Sequence, residues 1–351
     1  MDIQQHADAV QMAPQPLRFH ASGGEYFRIW IVNLLLTIVT LGIYSAWAKV
    51  RRNQYFYSST ELAGSSFEYH GNPIAILKGR VAALLLFGGY NIAMRYSPVG
   101  GACMALLLMA VLPWLSWKSM QFKLYNTSYR GVRFGFKGSA RQAYFYELLL
   151  PVLSVLTVGL LAPYTHQRLK QYQHSESRYG GSYFAFDGRV GGFYKAYGIF
   201  AALYFGGMIV FGTALVFVLK AVPGGPGNFA HAPAVIALFA IIYLWAFIVL
   251  PLFLTLIQNL IWNHTSLGGH RFASTLTWGR TSFIMLTNLL GVAVTLGLFM
   301  PFAHVRWLKY RLESTALLAA GGLDDFVAGA EQSVGGFGEG AMDMLDFDLS
   351  L

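Results

Sequence analysis

The chain has 351 residues, 55% of them hydrophobic and only 12% charged, with a formal net charge of +9. Soluble globular domains run at about 45–50% apolar and about 25% charged, so this composition excludes a soluble enzyme and points to an integral membrane protein. The charge is uneven: seven acidic residues and no Lys or Arg follow Gly321, leaving 25 basic against nine acidic residues before it.

Residues 1–18 form a polar arm without the basic start and apolar core of a signal peptide, so the first apolar segment is expected to stay in the protein. The membrane domain is expected over 19–320. A spanning helix needs roughly 20 mostly apolar residues, and the candidates are Phe27–Ala48, Val81–Met94, Val99–Trp117, Leu148–Thr165, Tyr197–Leu219, Ala234–Ile257 and Thr281–Ala303. Residues 321–351 read as an acidic, Gly-rich disordered tail, although Met342–Leu351 alternates acidic and apolar residues and could dock on a basic face.

One element recurs three times, near 26–57, 144–174 and 281–312. Its core is Thr40-Leu41-Gly42, Thr157-Val158-Gly159 and Thr295-Leu296-Gly297, each followed by an Arg (Arg51, Arg168, Arg306) and, four residues later, by a Tyr (Tyr55, Tyr172, Tyr310). On a helix this spacing puts Arg and Tyr on one face. We call it the A element. Between the A elements lie two helix pairs, near 75–122 and 195–261. A polar cassette also recurs, with Thr60, Gly64, Phe67 and Tyr69; Thr127, Gly131, Phe134 and Phe136; Ser177, Gly181, Phe184 and Phe186; and a degraded copy at Thr265, Gly269 and Phe272. Its Phe-x-aromatic alternation between glycines predicts a short strand or hairpin at the membrane surface.

The expected fold is therefore an all-α polytopic membrane protein with internal repeats. It has four firm transmembrane helices, three A elements that either re-enter or span, up to seven spans, and short β-like cytoplasmic cassettes. Lys and Arg concentrate in the loops flanking the A elements, which places those loops and the tail in the cytoplasm. The Pro/Gly-rich turns Tyr96–Gly101 and Val222–Pro233 are then periplasmic.

No catalytic motif, cofactor loop or multi-cysteine metal site is present, so no enzyme, cofactor, metal or nucleic-acid partner is expected. The single Cys103 reads as a small residue packed between helices. His166 and His304 share a repeat position with Lys49, which reads as a shared cationic interfacial site rather than a metal site. Asn33 and Asn288 share another and are candidates for polar lining. Gly42, Gly159 and Gly297 are candidate hinges. Arg51, Tyr55, Arg168, Tyr172, Arg306 and Tyr310 are candidate contacts to lipid headgroups.

The motifs from Phe19 through Gly71, in particular Thr40-Leu41-Gly42-Ile43-Tyr44, Trp47-Ala48-Lys49-Val50-Arg51 and Phe67-Glu68-Tyr69-His70-Gly71, resemble the YjgN family of bacterial inner-membrane proteins, from about Phe19 to Leu318. The resemblance implies a multi-pass protein of a Gram-negative inner membrane and brings no activity or substrate. The leading functional expectation is permeation of a small solute through a core built by the A elements. The alternative is a lipid-binding or scaffold protein whose basic, aromatic cytoplasmic face holds anionic phospholipid, with homo-oligomerisation open in either case.

Overall fold

The computed structural model describes residues 13–221, 232–321 and Val327. The expectations for the start of the arm, the second periplasmic turn and the rest of the acidic tail lie outside the described residues.

Among the described residues, five helical hairpins follow one another. α1 (Gly23–Val39) pairs with α2 (Ser45–Ser58), and α3 (Pro73–Tyr96) with α4 (Pro98–Tyr125). In the third hairpin α5 (Ala140–Tyr144), a π-helical turn (Phe145–Leu149) and α6 (Leu150–Leu156) make one arm, which packs on α7 (Ala162–Ser175). α8 (Val190–Ala221) pairs with α9 (Ala232–Asn263), and α10 (Trp278–Val294) with α11 (Met300–Glu313). Neighbouring hairpins pack through α2 with α3, α4 with α5, α7 with α8 and α9 with α10, and α11 returns to α1. The helices thus close on themselves.

The all-α expectation is wrong. Among the described residues, eleven short strands join the hairpins: β1 (Ala13–Pro16), β2 (Arg18–Phe19), β3 (Thr60–Leu62), β4 (Ser65–Tyr69), β5 (Thr127–Tyr129), β6 (Val132–Phe136), β7 (Ser177–Tyr179), β8 (Ser182–Phe186), β9 (Thr265–Leu267), β10 (His270–Ser274) and β11 (Thr315–Ala319). They form one antiparallel sheet in the order β1-β11-β10-β9-β8-β7-β6-β5-β4-β3-β2. Its two end strands are consecutive in the chain, and Leu17 between them donates its N–H to the Thr315 carbonyl at 3.1 Å. The sheet is therefore a near-closed barrel, in which the edges that would otherwise be left unpaired meet. The last part of the supposed polar arm, Ala13–Pro16 with Arg18, belongs to it.

The cassettes do contain strand pairs, but each also bonds across to the next cassette, on the far side of a whole helical hairpin. Phe67 lies opposite Tyr129, Phe134 opposite Tyr179, Phe184 opposite Leu267 and Phe272 opposite Leu317. Within each pair the turn is tight. Ala63 and Gly64, and Arg130 and Gly131, all have positive φ, the geometry that a two-residue turn between twisted strands requires and that glycine adopts at least cost.

Among the described residues, four helices are long and apolar enough to cross a membrane: Pro73–Tyr96, Pro98–Tyr125, Val190–Phe217 and Val235–Asn263. Apolar side chains such as Leu84, Leu85 and Phe205 stand exposed on them, as befits surfaces whose solvent is hydrocarbon. Cys103 is exposed on α4 rather than packed between helices. Each A element begins and ends at the barrel: α1 leaves β2 and α2 leads into β3, and the other two behave alike. Each therefore returns the chain to the barrel.

Candidate functional site

The A-element glycines are chain reversals. At the first tip Leu41 has φ 51° and Gly42 φ 95°; the pairs Val158 and Gly159, and Leu296 and Gly297, repeat this. Left-handed backbone is costly for leucine and more so for β-branched valine, so the turn must be held. Gly42 donates to the Thr37 carbonyl at 2.7 Å, and the Tyr44 N–H donates to the Thr40 hydroxyl at 2.9 Å. Gly159 and Gly297 bond back to Ser154 and Val292 in the same way, and Thr157 and Thr295 accept from Leu161 and Phe299. The tips thereby satisfy backbone N–H groups of their own turn. Leu41, Val158 and Leu296 are each more than nine-tenths exposed. The Thr of the motif ends the outgoing helix and accepts, through its hydroxyl, the N–H of the residue that precedes the returning helix.

The three tyrosines face inward to their own hairpins. Tyr55 accepts the Ser22 N–H at 3.0 Å and donates to Glu25 at 2.9 Å. Tyr310 accepts the Thr277 N–H at 2.8 Å, and Tyr172 donates to the Ser139 carbonyl at 3.4 Å. In all three hairpins the partner is the residue that caps the outgoing helix.

The arginines diverge. Arg306 donates to Asn288 Oδ1 at 2.9 Å and to Thr287 at 3.1 Å, while Asn288 donates to the Ala303 carbonyl at 3.1 Å. Arg168 bonds Gln171 at 2.9 Å and lies 5.1 Å from the Tyr164 ring. Arg51 is exposed. Asn33, the counterpart of Asn288, is buried, and its Oδ1 has no hydrogen-bond partner. Asn288 therefore lies between the arms of its hairpin.

A different group of residues converges. Burial holds the Lys49 ammonium below its ordinary pKa, with Arg80, Arg52 and Lys123 repelling it further. Burial and Lys123 do the same to Lys170. These cations come from α2, α3, α4 and α7, and Arg80 also donates to the Ser45 hydroxyl. Among the described residues no carboxylate acts on Lys49 or Lys170. Like charges drawn together without a counter-charge disfavour their own ionisation, and an anion placed among them would reverse that.

The histidines are not part of the positive charge. Burial, with Lys170 second, holds His166 and His174 down at about 4; burial and then Arg52 lower His304. His166 hydrogen-bonds the Tyr197 hydroxyl at 3.1 Å, and His304 packs against the Tyr26 and Phe56 rings. Their shared position is a neutral packing site. Among the described residues no group of three or more His, Cys, Asp or Glu side chains could hold a metal.

Residues 14–344 match the family described as bacterial protein of unknown function DUF898. The chain is 36% identical over 149 residues to the inner membrane protein YjgN of Salmonella typhimurium strain LT2, covering 41% of this chain and 37% of that protein. It is 35% identical over 147 residues to inner membrane protein YjgN of Escherichia coli strain K12, covering 40% and 36%. The matched region thus spans little more than a third of the length of these relatives. No solved structure matches. With a family match over nearly its whole length and four helices able to cross a membrane, the chain is a membrane protein that belongs to the YjgN family, DUF898.

Proposed function

We propose that the protein binds anionic phospholipid in the cytoplasmic leaflet of the bacterial inner membrane, with the barrel and its basic loops on the cytoplasmic side. The observation that carries this reading is the convergence of Lys49, Arg52, Arg80, Lys123 and Lys170 without a carboxylate acting on the two lysines it perturbs. Phosphate is the anion available at that depth. From the level of Asn33, where the arms of the A element begin to expose leucines and valines, the helix runs eight residues to Leu41, about 12 Å at 1.5 Å per residue. Half of a hydrocarbon core of about 30 Å is about 15 Å, so an A element reaches through one leaflet and stops. Lys49 and Arg52 then sit near the headgroup boundary, where basic side chains attract anionic lipid.

Solute permeation finds less support. The glycines expected along the path stand at exposed tips, and Asn288 spends its amide within its own hairpin. The headgroup role moves away from Arg168, Arg306 and the tyrosines, which have partners inside the protein, and onto the converging cations.

Purification in mild detergent followed by lipid mass spectrometry tests this. Wild-type protein should retain phosphatidylglycerol or cardiolipin in preference to phosphatidylethanolamine, and the Lys49→Gln, Arg80→Gln double variant should lose at least three-quarters of it while unfolding at a similar temperature. Unchanged anionic lipid in a folded double variant would sink the reading.

A further inference from the structure

The barrel and the adjoining helix ends enclose a cavity of about 450 Å³, within the size range of small-molecule sites. Its wall carries a row of four rings, Phe67, Phe134, Phe184 and Phe272, with successive centroids 6.4, 6.4 and 6.1 Å apart. At the strand turns, away from the helices, Leu62, Tyr129, Tyr179, Leu267 and Leu317 pack together with Val327. The Tyr129 hydroxyl donates to the Leu62 carbonyl at 2.7 Å and Tyr179 to the Tyr129 carbonyl at 2.9 Å, so the phenols there spend their protons on the barrel itself and leave the chamber apolar.

The opposite end is different. The last turns of α4, α9 and α11 bring Lys123, Gln258 and Arg311 to the cavity rim. Arg311 Nε is buried without a hydrogen-bond partner, and burial holds the guanidinium below its ordinary pKa. A buried, incompletely paired cation is costly, and the cost is relieved by an anion with matching donors and acceptors.

A polar metabolite would leave the phenylalanine wall without an apolar partner. A neutral hydrocarbon would leave Arg311 as it is. We propose that the barrel takes a hydrocarbon chain of an anionic amphiphile, with the chain against the four phenylalanines and the charged head at Arg311 and Lys123. The chain enters from the helix side, where the membrane is. This site shares Lys123 with the headgroup cluster but is centred on Arg311, and neither Lys49 nor Arg80 lines the cavity.

Photo-crosslinking tests it with the full chain in phosphatidylcholine nanodiscs. Palmitate carrying a mid-chain diazirine should label peptides containing Phe134, Phe184 or Phe272, and its methyl ester should label them at least fivefold less. Arg311→Gln, or Arg311→Met should the first variant misfold, should bring labelling by the acid down towards that of the ester. Labelling by palmitate alone would identify a single-chain ligand, and labelling also by diazirine phosphatidylglycerol a diacyl lipid; both sustain the proposal. Adducts confined to α3, α4, α8 and α9 would overturn it, and equal labelling by acid and ester would overturn the anionic head. Either failure leaves the phospholipid retention of the Lys49 and Arg80 variants to be judged on its own.

Discussion

The Tyr310 hydroxyl accepts the backbone N–H of Thr277, thirty-three residues earlier, at 2.8 Å. The bond ties the base of the returning helix α11 to the cap of the outgoing helix α10, and it supplies an acceptor to one of the N–H groups that every helix start leaves open. Tyr55 and Ser22 do the same at 3.0 Å. Tyr310→Phe should therefore lower stability by about 1 kcal/mol, the net value of such a hydrogen bond. Tyr172→Phe, whose contact to Ser139 is 3.4 Å, should cost less. Thermal unfolding of both variants in one detergent checks the order, and a larger loss for Tyr172→Phe would contradict it.

Asn33 and Asn288 should respond oppositely to leucine. Asn33→Leu removes a buried carbonyl oxygen that has no partner and is expected to be neutral or slightly stabilising. Asn288→Leu strips an acceptor from Arg306 and should cost roughly 1–3 kcal/mol, the range for a hydrogen bond to a charged group. Chemical or thermal denaturation of the two variants separates them.

The A-element tips should depend on their threonines. Thr295→Val keeps the shape but removes the acceptor for the Phe299 N–H at 2.9 Å, a hydrogen bond worth about 1 kcal/mol. In hydrocarbon the freed N–H has no water to turn to. Thermal unfolding in nanodiscs should show the variant melting below the wild type, and equal melting temperatures would contradict the assignment.

Acid should destabilise the fold through His174. Its imidazole lies at about 4 in the folded protein against an ordinary 6.5, because burial and Lys170 disfavour the cation. The unfolded chain then binds the extra proton first, so the stability is complete above about pH 6.5 and is lost as pH falls towards 4. His174→Gln should flatten that slope, removing on the order of 2 kcal/mol of pH dependence after allowance for residual solvent. Unfolding temperatures at pH 7.5 and 4.5 measure it, and equal slopes in variant and wild type would refute the assignment.

Much of the molecule was legible in the residues. The apolar runs located α3, α4, α8 and α9, and Thr40-Leu41-Gly42 with its two counterparts marked hinge candidates, without deciding whether the chain turned back there or ran on. The cassette alternation showed short strands at Phe67, Phe134, Phe184 and Phe272. What it did not show was their partners. A strand of three to five residues carries too little pattern to specify a register, and Phe67 meets Tyr129 only across the helices α3 and α4.

The roles of the charged residues were harder to read for the same reason. Arg51, Arg168 and Arg306 share a position in sequence, yet only Arg306 has an asparagine to hold it, since Leu150 stands where Asn288 does and Asn33 leaves Arg51 exposed. Lys49, Arg80, Lys123 and Lys170 have no common motif and are drawn together by the packing of four different helices.

Composition and hydropathy alone determined that this is a membrane protein and where its apolar helices lie, because burial in hydrocarbon acts on residues near one another in the chain. The tertiary structure alone decided that the strands close into a barrel, that the tyrosines latch their own hairpins and that the cations converge, because strand pairing and electrostatics act through space between segments the sequence keeps far apart.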